Sequence, residues 1–207
     1  MSPLMVGFDL DMTLVDSRPG IAAAYRALTE RTGVAVDAEL AVSRLGPPLR
    51  TELAHWFPPE RIEEAVTLYR ELYPAYAITP TTPMPGAEAA VRAVHERGGR
   101  VMVVTSKIGR LAKLHLDHLG LAADELAGDL FAEQKATALR EHGATFYVGD
   151  HVADMAAART AGIPGVAVAT GPCAAAELSA AGACLVLNDL VEFPRAVDRI
   201  IGLALEG

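Results

Sequence analysis

Short apolar runs alternate with longer amphipathic stretches along most of the chain. The first run, Leu4 to Phe8, has no alternating polar face, which predicts a strand buried on both sides. From Gly86 onward the alternation is regular. Helices over 87–97, 109–119, 136–142 and 152–161 are separated by the strand-like runs RVMVVTS, TFYVGD and GVAVATG, with a weaker strand near Asp129 to Ala132. The chain closes with a helix near Ala174, a short strand CLVL and a last helix from Asp189. Repeated strand then helix predicts a mostly parallel, three-layer α/β/α sheet, whose site lies at the carboxyl ends of the strands.

Residues 16–82 break this rhythm. Helical periodicity predicts helices over 19–33, over 37–45 and from Pro58 to Tyr76, with a rigid loop at Gly46, Pro47 and Pro48 and no strand-like run. The segment reads as a small all-helical domain inserted after the first strand, leaving 1–15 and 83–207 as the α/β core. Val15 to Ser17 leads out to it and the proline-rich stretch Thr79 to Gly86 leads back, two stiff adjacent connectors of the kind that hinge a lid.

Composition narrows the function. A net charge of −8 argues against a nucleic-acid backbone or an anionic membrane as the main partner. The N-terminus has neither the basic region nor the apolar stretch of a signal peptide, and no apolar run reaches membrane-spanning length. Two cysteines, Cys173 and Cys184, outside a C-x-x-C arrangement fit a reducing cytoplasm. Cys173 follows Gly171 and Pro172 near a helix start, where a thiol pKa can fall, but a small hydrophobic role is the preferred reading. Neither a phosphate-binding P-loop nor a dinucleotide fingerprint is present.

The candidate chemistry begins at Asp9 and Asp11, one residue apart where the first strand emerges. Side chains at i and i+2 share a face of an extended chain, so the two carboxylates are expected to converge. Two such charges about 4 Å apart repel by roughly 4 kcal/mol at an effective dielectric of ~20, which implies a divalent cation. Taken alone, the pair also suits a turn residue followed by a helix cap. Other strands end in Thr105 and Ser106 and in Asp150; Lys135 begins the helix between them, and Asp154 lies one turn beyond Asp150. Singly, Lys135 reads as a solvated helix residue, Thr105 as a β-former and Asp150 as a cap, but all are placed at the same sheet edge.

FDLDMTL with Asp9, Asp11 and Thr13, VVTS with Thr105, Lys135, and GDHVAD from Gly149 to Asp154 resemble the four ordered motifs of the haloacid dehalogenase-like hydrolase superfamily. The resemblance spans essentially the whole chain. Residues 16–82 resemble the helical cap of its phosphoglycolate phosphatase-like branch, as does Met84-Pro85-Gly86. It implies a Rossmann-like core, and an enzyme that hydrolyses a small phosphomonoester through an aspartyl phosphate on Asp9. In that scheme Asp11 is the general acid and base, Thr105 and Lys135 stabilise the phosphoryl group, and Mg²⁺ is held by Asp9, the Asp11 main-chain carbonyl and Asp150, with Asp154 orienting that set. Three positions depart from the pattern. Met12 stands where glycine is frequent, Lys135 lacks a following proline, and His151 replaces a small hydroxyl residue.

Substrate choice is expected from the insert, whose GPPLR loop, Gly46 to Arg50, resembles the specificity loop of related caps, together with Ser106. Arg50 is the candidate for a second anionic group, equally readable as a solvent-facing arginine, and Arg44 and Arg18 are weaker candidates. His115 and His118, one turn apart on a helix, have the spacing to chelate a metal but no carboxylate or cysteine partner nearby, and Trp56, Phe57, Tyr69 and Tyr73 read as the insert's own core. The family's dehalogenases lack the second aspartate, and its phosphonatases need a cap lysine, whereas residues 16–82 contain no lysine. The expectation is thus a cytoplasmic phosphatase, monomer or homodimer, acting on a small phosphorylated metabolite. A sugar-phosphate mutase, or a non-catalytic phosphometabolite-binding protein, is the alternative.

Overall fold

A computed structural model describes residues 4–206. Strands β1 (Met5–Phe8), β4 (Arg100–Val104), β5 (Glu125–Ala127), β6 (Phe146–Gly149), β7 (Gly165–Val168) and β8 (Leu185–Leu187) form one sheet in the order β5-β4-β1-β6-β7-β8. Every pairing in it is parallel. Val6 and Phe8 face one apolar layer and Met5 the other, which explains the continuous hydrophobic run of β1. Helices α5 (Ala87–His95), α6 (Gly109–Leu119) and α10 (Phe193–Glu206) cover the first face. Helices α7 (Glu133–Glu141) and α8 (Val152–Ala161) cover the second, and α9 (Ala175–Ala180) packs at the β7–β8 end through Leu178. None of the described helices is long and apolar enough to cross a membrane.

Between β2 (Val15–Asp16) and β3 (Thr82–Pro83) lie α1 (Arg18–Thr32), α2 (Ala38–Val42), α3 (Leu49–Leu53) and α4 (Ile62–Tyr76). β2 and β3 pair antiparallel, Val15 opposite Pro83 and Asp16 opposite Thr82, so the connectors form a two-stranded ribbon. The helices enclose their own apolar cluster, in which Phe57, Tyr69 and Tyr73 are buried and Trp56 is partly so. That cluster also takes in Leu111 and Ile108 at the start of α6, so apolar packing continues from the helical segment onto the sheet layer.

Several boundaries move. The weak strand lies at 125–127 and not at 129–132, because Asp129 and Ala132 adopt left-handed backbone (φ 63° and 49°) that no strand accommodates. The last helix starts at Phe193, since Asp189 accepts a hydrogen bond from the Val191 amide and holds a turn. α7 begins three residues earlier than its apolar pattern indicates, so Lys135 sits within its first turn. Pro58 and Pro59 open a short 3₁₀ turn, Pro59–Arg61, before α4, and the five-residue α3 follows Pro48 where the sequence reads as loop.

Candidate active site

The carboxyl ends of β1, β4 and β6 are adjacent, and a cleft of about 410 Å³ opens between them and the helical segment. Asp9 follows β1 directly and its amide bonds the Val148 carbonyl, which locks it beside the end of β6. Lys135 reaches in from α7, its Nζ donating to Asp9 Oδ1 at 2.8 Å, Asp154 Oδ1 at 2.8 Å and the Tyr147 hydroxyl at 3.1 Å. Asp150 accepts from Thr13 Oγ1 at 2.8 Å. A side chain on Gly171 would place its Cβ 1.8 Å from Asp150 Oδ2, so the absence of one there is what lets the carboxylate lie where it does. Thr105 is buried at the end of β4, its Oγ1 accepting from the Lys107 amide, while Ser106 Oγ donates to the Gly46 carbonyl at 3.4 Å.

One oxygen each of Asp9, Asp150 and Asp154 lie within 4.8 Å of one another. Three buried carboxylates thus face a single ammonium. Burial pushes the Asp9 carboxyl up to about 7 against the attraction of Lys135, and burial with the neighbouring Asp9 and Asp154 charges pushes Asp150 up as well. Excess buried negative charge on hard oxygen donors fits a divalent cation such as Mg²⁺. Both oxygens of Asp154 are already engaged, by Lys135 on one side and by the His151 amide on the other. Asp9 and Asp150 each keep an oxygen without a donor among the described residues. The hydrogen-bond pattern therefore suits Asp150 as a ligand and Asp154 as an orienting group, and leaves one Asp9 oxygen open to the cleft.

Asp11 does not share this volume. The chain leaves its extended course at Leu10, and Met12 takes a left-handed conformation (φ 64°), which explains why glycine is frequent there. The Asp11 carboxylate turns to Lys107, whose Nζ donates to Oδ1 at 2.8 Å, and to the Ser17 hydroxyl. Burial raises the Asp11 carboxyl, but Lys107 and Ser17 outweigh it and hold the group below the usual carboxylate range. The crowding expected of the Asp9 and Asp11 side chains is thus relieved by giving each its own lysine; the carboxylate cluster is Asp9, Asp150 and Asp154.

The remaining candidates divide. Arg50 lines the cleft but is exposed and ion-paired with Glu63. Arg44 is held by Glu52, and Arg18 by Asp16 at the ribbon. Gly46 lies against the His151 ring, where an added Cβ would come within 2.9 Å, and its φ of 132° also favours glycine. His151 caps α8, its Nδ1 accepting from the Ala153 amide. His115 is buried and His118 is exposed, so the two point to different faces of α6 and share no metal site. Cys173 is partly buried, and burial raises its thiol instead of lowering it. Lys107, Tyr147 and Ser17 escape the motif reading. Lys107 was nonetheless signalled, as one of three lysines in the chain, two residues beyond Thr105.

The haloacid dehalogenase-like hydrolase family model matches residues 6–159, which takes in all of these motif residues. The chain belongs to that family. It is 30% identical over 209 aligned positions to a phosphoglycolate phosphatase of Chromobacterium violaceum, covering 90% of this chain and 93% of that protein. A hydrolase of the haloacid dehalogenase-like family from Streptococcus pneumoniae superposes with a TM-score of 0.82 at 26% identity, covering 95% of this chain and 99% of that one. A partial likeness, 34% over 121 positions, links 58% of the chain to 42% of the tyrosine-protein kinase PtkA of Mycobacterium tuberculosis. Within the family the chain falls in the phosphoglycolate phosphatase-like branch, and it is a phosphoric monoester hydrolase.

Proposed function

We propose that the chain is a cytoplasmic, Mg²⁺-dependent phosphatase acting on a small phosphomonoester, phosphoglycolate or a similar short metabolite, with residues 16–82 serving as a cap over a core made of 1–15 and 83–207. The observation that carries this reading is Asp9 itself. It lies at the floor of the cleft with one oxygen fixed by Lys135 and the other without a donor among the described residues, as a nucleophile aimed at an incoming group requires.

In this scheme Asp9 Oδ2 attacks phosphorus as the bond to the leaving oxygen breaks, and Asp11 delivers a proton to that oxygen. A water molecule then attacks the phosphorus of the aspartyl phosphate, giving its proton to Asp11 and releasing inorganic phosphate and free Asp9. Lys107 and Ser17 keep resting Asp11 ionised, the form that takes the proton in the second step; a phosphate dianion beside it raises its proton affinity for the first. Thr105 and Lys135 stabilise the charge on the transferring oxygens. Asp9, Asp150 and the Asp11 carbonyl would hold Mg²⁺, with Asp154 orienting them; when bound, the ion screens nucleophile and phosphate from each other. Ser106, Gly46 and Arg50 face the rest of the substrate, and a substrate carboxylate reaching Arg50 must compete with Glu63.

A phosphate-release screen over many metabolites, with and without Mg²⁺, tests the proposal. Asp9→Asn should lower turnover of an aryl phosphate by about a thousandfold or more, and wild-type-like rates in that variant would remove the mechanism. An isomerised sugar phosphate without phosphate release would instead indicate the mutase, and binding without turnover a sensor.

A further inference from the structure

Lys107 lies outside the family's motif residues, yet its side chain is only 9% exposed and fully committed. Its Nζ donates to Asp11 Oδ1 at 2.8 Å and to the Tyr73 hydroxyl at 2.7 Å, and lies 4.8 Å from the Tyr73 ring centre. Asp11 and Lys107 follow strands of the sheet, whereas Tyr73 belongs to α4 of the helical segment. The three groups therefore join two layers across the cleft. The Tyr73 hydroxyl also meets His115 Nε2 on α6 at 2.9 Å.

The direction of these bonds follows from donor chemistry. An ammonium only donates, so the Tyr73 oxygen accepts from Lys107 and its own hydrogen goes to His115 Nε2. The imidazole proton is then on Nδ1, a buried atom without a hydrogen-bond partner among the described residues. An orphaned buried donor costs about 1–3 kcal/mol, so the row is kept in spite of that. Tyr73 cannot easily swing away, because its ring packs on Tyr69, and Tyr69 on Tyr25.

We propose that Lys107 is a positioning residue for Asp11, and that Tyr73 makes this positioning depend on the helical segment being seated on the sheet. Lys107 and Ser17 both engage Asp11 Oδ1, which leaves Oδ2 as the oxygen that carries the proton. When the segment lifts, Lys107 loses the hydroxyl and the aromatic face of Tyr73, its long stem regains rotamers, and Asp11 loses a fixed donor. Acid–base competence is thereby confined to the closed arrangement. This inference rests on the phosphatase reading above.

The test compares an alkyl phosphate, whose leaving oxygen needs a proton, with p-nitrophenyl phosphate, whose leaving oxygen needs little help. Lys107→Met should lower the single-turnover rate of leaving-group release, the step that precedes hydrolysis of the aspartyl phosphate, about 100-fold on the alkyl ester and about tenfold or less on the aryl ester, with KM within about twofold. Tyr73→Phe should show the same pattern at about fivefold, the double variant should be no worse than Lys107→Met, and Lys107→Arg should restore part of the alkyl rate. Hydrogen exchange gives a readout apart from turnover: amides of α4 around Tyr73 should exchange faster in each single variant and no faster in the double one. If circular dichroism shows that Lys107→Met does not fold, Tyr73→Phe and Lys107→Arg carry the test. Equal losses on both esters, additive losses, or a raised KM with kcat intact would overturn the inference while leaving the phosphatase reading standing. A wild-type protein that releases phosphate from no ester would overturn both.

Discussion

The site uses the same three residue types twice. Lys135 joins Asp9 and Asp154 to the Tyr147 hydroxyl, and Lys107 joins Asp11 to the Tyr73 hydroxyl. The first group is drawn wholly from the sheet and the helices beside it, and Tyr147 is anchored further by donating to the Val104 carbonyl. The second straddles the cleft, because Tyr73 comes from the helical segment. An ion pair confined to one packed layer keeps its geometry whatever the rest of the molecule does, while one that borrows a partner from a second layer is conditional on their contact. In the proposed scheme the nucleophile thus has an unconditional lysine and the acid–base carboxylate a conditional one.

Removing the lysines separately should expose that difference most strongly. Lys135→Met leaves three buried carboxylates without a cation, and chemical denaturation should show a loss of about 3–5 kcal/mol in metal-free buffer. Lys107→Met should cost clearly less, and a larger loss than for Lys135 would break the comparison.

The conditional group should also respond to acid. Burial, with a further push from Lys107 against the opposing pull of Asp11, lowers His115 to about 4 from 6.5. The unfolded chain therefore binds a proton that the folded one refuses between those values. Stability is complete above pH 6.5 and declines as pH falls toward 4, by at most about 3 kcal/mol. Melting curves across that window should be flatter in His115→Gln than in wild type.

Adding Mg²⁺ at about 100 times its Kd should stabilise the wild-type protein by about 2.7 kcal/mol, read as a rise in melting temperature. Asp150→Asn should abolish most of that rise, and Lys107→Met should leave it nearly unchanged. The smallest effect is expected at Met12, the left-handed residue that follows Asp11. Met12→Gly relieves backbone strain of about 1 kcal/mol but forfeits a buried side chain, for a net loss of about 1–2 kcal/mol in denaturant titrations.

The same contrast governs what could be read from the sequence. Helices 109–119 and 152–161 match their expected bounds because each stops at a glycine that takes the left-handed conformation, Gly120 and Gly162. The strand at Glu125–Ala127 did not stand out, since it is a half-buried three-residue edge with no apolar run. Asp9, Lys135, Asp150 and Asp154 meet because a parallel sheet brings its carboxyl ends together, so topology alone foretold their convergence. The contact between Lys107 and Tyr73 depends on how the helical segment seats against the sheet, which no local pattern encodes, and Tyr73 consequently read as ordinary core. The parting of Asp11 from Asp9 was hidden for another reason. It follows from the bend at Leu10 and from Lys107, 96 residues further on, which draws the Asp11 carboxylate to itself, and no local pattern announces either.

The scarcity of lysine has a practical corollary. Two of the three ε-amines are sealed into the ion pairs just compared, and the third, on Lys113, has 67% of its side chain in solvent. An amine-reactive fluorophore applied under mild conditions should single out Lys113 among the lysines, tagging the outer surface of α6 and sparing the cleft.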